Sequence, residues 1–163
     1  QRQMCIRDRR GLMDCIIPQN VDGLHAAAGS RPIYELHGSV GKVRCMECGS
    51  AAPRDAFIAG EVCAYCGGKL RPGVVLFGEG LPEDALGESW RAAENADVFL
   101  VLGSSLQVSP ANQLPVIAKR AGALLAICNR DITQLDHMAD YRTNEGIADF
   151  LRYLDALLRE QGR

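Results

Sequence analysis

Asp97-Val98-Phe99-Leu100-Val101-Leu102-Gly103-Ser104-Ser105 reads as one strand and the turn that ends it. The run from Val98 to Leu102 has no polar alternation, which predicts a strand buried on both faces, as in a parallel sheet covered by helices. Upstream, a helix is expected from Glu83, with Leu86, Trp90 and Ala93 on one stripe. Downstream, a helix is expected to open at Pro110 and run to Arg120 before Gly122, with Pro115 distorting it. A second strand, Leu124 to Cys128, ends at Asn129, and a last helix from Ile147 to about Arg159 gathers Ile147, Phe150, Leu151, Leu154, Leu157 and Leu158 on one face. Nearer the N-terminus, Met13 to Ile17, closed by Pro18, and Val74 to Phe77 read as further strands. Strands alternating with helices predict an α/β fold with a mostly parallel, doubly wound sheet.

That alternation is interrupted between about residues 40 and 70 by Cys45-Met-Glu-Cys48 and Cys63-Ala-Tyr-Cys66, each second cysteine followed by glycine (Gly49, Gly67). A two-residue gap lets both sulfurs of a pair reach one ion, and the glycine relieves the turn behind them, so the pattern predicts a tetrathiolate zinc site. Two disulfides or a redox pair are the alternatives, and neither suits paired spacing in a chain without a secretion signal. Cys15 and Cys128 lie in apolar runs and are expected in the core.

With 47% hydrophobic and 23% charged residues among 163, the chain fits one globular domain with a small insert. The formal net charge is −2; the first ten residues hold four arginines against one aspartate, +3, so the remainder carries −5. Such a body offers no broad phosphate-binding surface, which argues against nucleic acid as a direct partner. No run approaches the roughly 18 apolar residues of a membrane span, and no signal peptide opens the chain, so a cytoplasmic protein is expected. The opening QRQMCIRDR has neither apolar period nor turn logic and resembles a translated adaptor, so residues 1–10 are set aside from the fold.

Among residues that could carry chemistry, the Gly103-Ser104-Ser105 turn can offer amides and hydroxyls to a phosphate or ribose, although such residues are also ordinary turn formers. Gly78-Glu79-Gly80 has the first two glycines of a dinucleotide fingerprint but not the third. Asn20 and Asp22 sit in a loop after a strand, and His25 or His37 could be a general base; a lone histidine is more often structural. Four cysteines complete a tetrahedron, leaving no place for a histidine ligand.

Taken together, Pro18-Gln-Asn-Val-Asp-Gly-Leu-His25, Ala28-Gly29, Glu35-Leu-His-Gly-Ser39, the two CxxC pairs, Arg71-Pro-Gly-Val-Val-Leu-Phe-Gly-Glu79 and Gly103-Ser-Ser105 stand in the order seen in sirtuins. The chain resembles a bacterial-type member of that family from about Leu12 to the last helix. The resemblance implies a Rossmann-like sheet, incomplete at the N-terminus, formed by residues 11–39 and 71–163, and a zinc-binding small domain over 40–70. It implies an NAD-dependent protein-lysine deacylase that passes the acyl group to ADP-ribose and releases nicotinamide, with acyl-lysine proteins as partners. His37 is then the general base, and Gln19, Asn20 and Asp22 line the nicotinamide and ribose pocket. Gly103, Ser104, Ser105 and Asn129 contact the cofactor's ribose and phosphates. Val75, Phe77 and Gly78 pair with the substrate peptide as an added strand. Cys45, Cys48, Cys63 and Cys66 hold a structural Zn²⁺, which takes no part in the chemistry.

Three departures from the family pattern stand out. Pro18 replaces the usual threonine, the interval between the CxxC pairs is short, and the glycine-rich G-A-G-x-S turn that cradles the pyrophosphate is not in the sequence. Residues 11–163 alone are therefore expected to bind zinc and to show little deacylation. An ADP-ribosyl transferase on the same scaffold, or a non-catalytic module for ADP-ribose or protein, are the competing readings.

Overall fold

In the computed structural model, which describes residues 13–160, the first strands form a small antiparallel sheet. A short helix, α1 (Leu24–Ala27), precedes it. Strand β1 (Gly38–Cys45) lies between β2 (Ala51–Ala52) and β3 (Leu70–Val74), with Cys45 opposite Leu70 and Gly38 opposite Val74. Helix α2 (Arg54–Ile58) follows β2. Val43, Cys45, Cys63 and Leu70 are the whole buried core of this unit, with Ala52 and Ala56 packed on it. Gly38 is required where the strands converge: its φ is +70°, and a Cβ there would lie 2.0 Å from the Gly73 carbonyl oxygen.

The second sheet is parallel. Helix α3 (Glu83–Glu94) leads to β4 (Val98–Leu102), and a single 3₁₀ turn (Ala111–Gln113) opens into α4 (Leu114–Ala121). Strand β5 (Leu124–Cys128), a 3₁₀ turn (Asp136–Met138), β6 (Tyr141–Thr143) and α5 (Ile147–Glu160) follow. Strand order is β4-β5-β6, with Leu102 beside Cys128 and Cys128 beside Thr143. The two faces are covered differently, as strand alternation dictates. Leu100, Leu102 and Cys128 meet Phe150, Leu151 and Leu154 of α5, whereas Val101, Leu125 and Ile127 meet Leu106, Leu135 and Met138. Phe99 also reaches the cluster that joins Leu36, Ala93 of α3 and Leu114 and Ala118 of α4.

The α/β class with a parallel sheet holds, and several local expectations do not. Met13 to Ile17 makes no strand; Ile16 forms a single bridge to Ile33, and Pro18 withholds the next donor. The strand expected over Val74 to Phe77 ends at Val74, because Phe77 and Gly78 turn. Val98 is 60% exposed, since β4 has a strand on only one side among the described residues. Trp90 faces outward, and Ser89 takes its place in the buried stripe of α3. Pro115 does not distort a helix interior. The helix proper starts at Leu114, so the proline falls in the first turn, where a missing amide proton breaks no bond. Gly122, at φ +107°, ends α4 as expected. Cys128 is fully buried, but Cys15 is only half-buried. The adaptor-like residues 1–10 lie outside the described residues.

Candidate active site and metal centre

The four CxxC thiols converge at the tip of the antiparallel sheet, all sulfurs lying within 4.8 Å of one another. Two matching turns build the cluster. The Gly49 amide donates to the Cys45 carbonyl at 3.2 Å and the Gly67 amide to the Cys63 carbonyl at 2.8 Å, with both glycines left-handed. The Sγ separations are 3.5 Å for Cys45 and Cys66 and 3.7 Å for Cys48 and Cys63. A tetrahedral ion with metal–sulfur bonds of about 2.3 Å sets its ligands about 3.8 Å apart, so the residues fit zinc. Charge points the same way. The Ser50 hydroxyl and amide lower the Cys48 thiol to about 6. A Gly68 amide favours the Cys66 thiolate, yet hydrogen bonds with the Cys48 and Cys45 sulfurs outweigh it and push Cys66 up to about 12. Sulfurs this close share protons rather than ionise together, and a divalent cation removes that conflict.

The second site lies along the C-terminal edge of the parallel sheet. Parallel strands end at one edge, so Gly103, Asn129 and Asn144 emerge together after β4, β5 and β6. The Gly103 amide donates to the Cys128 carbonyl at 2.9 Å, and the Asn129 amide to the Thr143 carbonyl at 3.1 Å. Gly103 has φ +62°. The Asn129 side chain donates to the Asp131 carbonyl at 2.9 Å. Ser104 is half-buried, and Ser105 is exposed.

Gln19 connects this edge to His37. Its Nε2 donates to Ser104 Oγ at 3.0 Å, and its backbone carbonyl lies 2.8 Å from His37 Nδ1. A carbonyl has no proton to give, so His37 carries its hydrogen on Nδ1, and in the neutral ring Nε2 is left bare as a base. Asp22 Oδ1 accepts the Leu24 amide at 2.9 Å and opens α1, while Asn20 is exposed. The loop between them is fastened to β1 by the Val40 amide, which donates to the Val21 carbonyl at 2.9 Å.

The His37 carbonyl accepts the Val75 amide at 2.9 Å, bringing the segment after β3 to the histidine. That segment is clasped at its base. Arg71 spans both Glu79 oxygens, at 2.6 and 3.2 Å, and donates to the Val74 carbonyl, while Glu79 Oε2 accepts the Leu76 amide at 3.0 Å. Hydrogen bonds from Arg71, then from the Leu76 amide, hold the Glu79 carboxyl below its usual range. Phe77 projects from the clasp fully exposed.

The family model described as Sir2 family matches residues 5–110. The chain belongs to the Sir2 family. Curated relatives agree with this. The NAD-dependent protein deacetylase 1 of Geobacillus kaustophilus is 58% identical over 133 residues, 82% of this chain and 55% of that protein. The NAD-dependent protein deacetylase of Oceanobacillus iheyensis is 47% identical over 146 residues, 89% of this chain and 62% of that protein. The chain thus spans a little over half the length of these curated relatives. A solved Sir2 bound to acetylated peptide superposes with a TM-score of 0.90 at 35% identity, over 99% of this chain and 69% of its own. A Sir2 complex with peptide and NAD+ gives 0.89 at 35% identity, over 99% and 68%.

In this Sir2-family chain His37, Gln19 and Ser104 form one connected group, and Val75 joins it through the His37 carbonyl. His25 stands apart in α1, and among the described residues its Nδ1 is buried without a partner. Gly78-Glu79-Gly80 belongs to the Arg71 clasp and opens no helix. Three contributors were missed in the sequence. Strand β6 is too short, at three residues, for an apolar period. Ile147 crowds Gly103, since a Cβ there would lie 2.7 Å from Ile147 Cδ1. The Arg71–Glu79 pairing spans a turn whose own residues carry no signal for it.

Proposed function

We propose that this protein is an NAD-dependent protein-lysine deacylase, acting on acyl-lysine peptides or proteins in the cytoplasm. The observation that carries the reading is Gln19, whose two hydrogen bonds hold His37 with a bare Nε2 beside the Ser104 turn. The deacetylase names of the relatives and the peptide and NAD+ in the solved Sir2 complexes support it. NAD would supply the electrophilic ribose carbon and accept the acyl group, with nicotinamide as the leaving group. Gly103, Ser104, Ser105 and Asn129 would bind its ribose and phosphates with amides, hydroxyls and the Asn129 side chain. Gln19, Asn20 and Asp22 would line the nicotinamide end, where the Asp22 carboxylate favours positive charge developing on the sugar. His37 would take a proton from a ribose hydroxyl through Nε2. Val75, Phe77 and Gly78 would add the substrate as a strand and pack on its acyl-lysine.

Zinc would be held by Cys45, Cys48, Cys63 and Cys66 and would stay out of the reaction, its part being to close a small domain over about residues 40–70. All six cysteines of the described residues are unbridged, which favours a reducing compartment. No helix of the described residues is long and apolar enough to cross a membrane. Neither a membrane nor nucleic acid is part of this reading, given the acidic balance beyond residue 10.

The test is His37→Ala in the complete gene product, assayed with an acetyl-lysine peptide and NAD and analysed for O-acetyl-ADP-ribose. Loss of a general base costs about 10²–10⁴-fold, so deacylation should fall by that factor while peptide binding persists. Undiminished turnover, or ADP-ribosylated protein as the main product, would contradict the proposal.

A further inference from the structure

The turn that carries Ser104 is shaped by a residue outside the sites described above. Leu106 has φ +57°, the only left-handed conformation of a non-glycine among the described residues, and its side chain is buried against Val101, Leu125 and Ile127. An L side chain adopts that conformation at a cost and keeps it only where its surroundings hold it. Both ends of Leu106 are held. Its amide donates to Ser104 Oγ at 3.3 Å, and its carbonyl accepts from Gln134 Nε2. Ser104 Oγ is the same atom that accepts from Gln19.

Gln134 extends from a braced loop. Asn129 and Arg142 both donate to the Asp131 carbonyl, at 2.9 and 3.1 Å, and Arg142 Nε donates to Asp136 Oδ2 at 3.0 Å. Thr133, 6% exposed, donates to the other Asp136 oxygen and accepts the Leu135 amide. Leu135, Met138 and Ala139 pack on the core beneath. The loop after β5 is therefore fixed on its own account and can restrain the loop after β4.

We propose that Gln134 is a positioning residue for cofactor binding, holding the Leu106 carbonyl so that the left-handed peptide sets Ser104 toward Gln19. The proposal rests on the reading of the Ser104 turn as a cofactor site, and two measurements separate the two. Gln134→Met keeps the length of the side chain and removes the donor; Gln134→Lys restores a donor of similar reach. Amide hydrogen exchange needs no cofactor. Met should speed exchange of the Leu106 amide by about fivefold, the factor one hydrogen bond is worth, with Leu125 to Cys128 unchanged and Lys restoring protection. Unchanged Leu106 protection in the Met variant, or equal loss at β5, would overturn the role of Gln134. Titration of the complete gene product with ADP-ribose should give affinity about fivefold weaker in the Met variant and recovered in Lys. Equal affinity in all three proteins would overturn positioning. Absence of binding in every protein, wild type included, would count against the cofactor reading and leave the exchange result to decide Gln134.

Discussion

Gln19 performs two tasks that its side chain and backbone divide between them, one toward Ser104 and one toward His37. Nothing local marks it out. The run before it and the loop after it are visible as apolar residues closed by proline, but a glutamine in a loop carries no sign of what it will touch. His37 was singled out through its flanking Glu35-Leu36 and Gly38-Ser39, while its tautomer depends on a carbonyl 18 positions away. Gly38 can be tested at the same scale. Gly38→Ala would drive a Cβ into the Gly73 carbonyl at φ +70° and should cost about 3 kcal/mol of unfolding free energy. Gly29 also has a positive φ, +85°, but open space around it, so Gly29→Ala should cost only about 1 kcal/mol. Urea unfolding of both variants checks the difference, and equal losses would mean that the close approach of β1 and β3 is relieved elsewhere.

Among the elements, the antiparallel sheet depends on its thiolates more than on its core. Val43, Cys45, Cys63 and Leu70 are its buried apolar side chains, and two of the four are sulfur ligands. A unit so small lacks the apolar burial to offset chain entropy, so metal binding and folding should be one event. A strong chelator at neutral pH, or Cys63→Ser, should therefore unprotect the amides of β1 and β3 while those of β4 and β5 stay protected. Hydrogen exchange resolves the two sheets, and an intact β1 in the metal-free chain would contradict the prediction. This element was legible because two-residue spacing and a following glycine are local properties of a metal-binding turn. The segment Val75 to Glu79 was less so. It has the apolar composition of a strand, and the Arg71–Glu79 pairing bends it into a turn instead.

For the whole molecule, Asp140 joins three pieces of chain. Its carboxylate accepts from Lys119 Nζ, at 2.5 and 2.6 Å, and from the Leu125 amide at 2.7 Å, binding the end of α4 to the start of β5 ahead of β6. The Lys119 hydrogen bond, then that of the Leu125 amide, lowers its carboxyl below the usual range. A lowered carboxyl contributes stability that is complete above its unfolded pKa of about 4 and is lost as pH falls through the folded value. Asp140→Asn should consequently lower the Tm at neutral pH and flatten the fall in Tm below about pH 4. An acid limb as steep as in the wild type would assign the loss to other carboxylates, such as Asp136, which is held low against the opposing pull of burial by hydrogen bonds from Thr133 and then Arg142. The sequence by itself determined that β4 and β5 are strands, the glycine that ends α4, the amphipathic last helix and the thiolate ligand set. Each of these rests on the chemistry of neighbouring residues. Tertiary structure alone decided that Trp90 faces outward, that Pro115 opens a helix, that β6 exists, and that Gln19 meets Ser104 across 85 positions. Closing such a loop costs entropy that no local contact returns, so the pairing exists only once both sheets and their helices have packed.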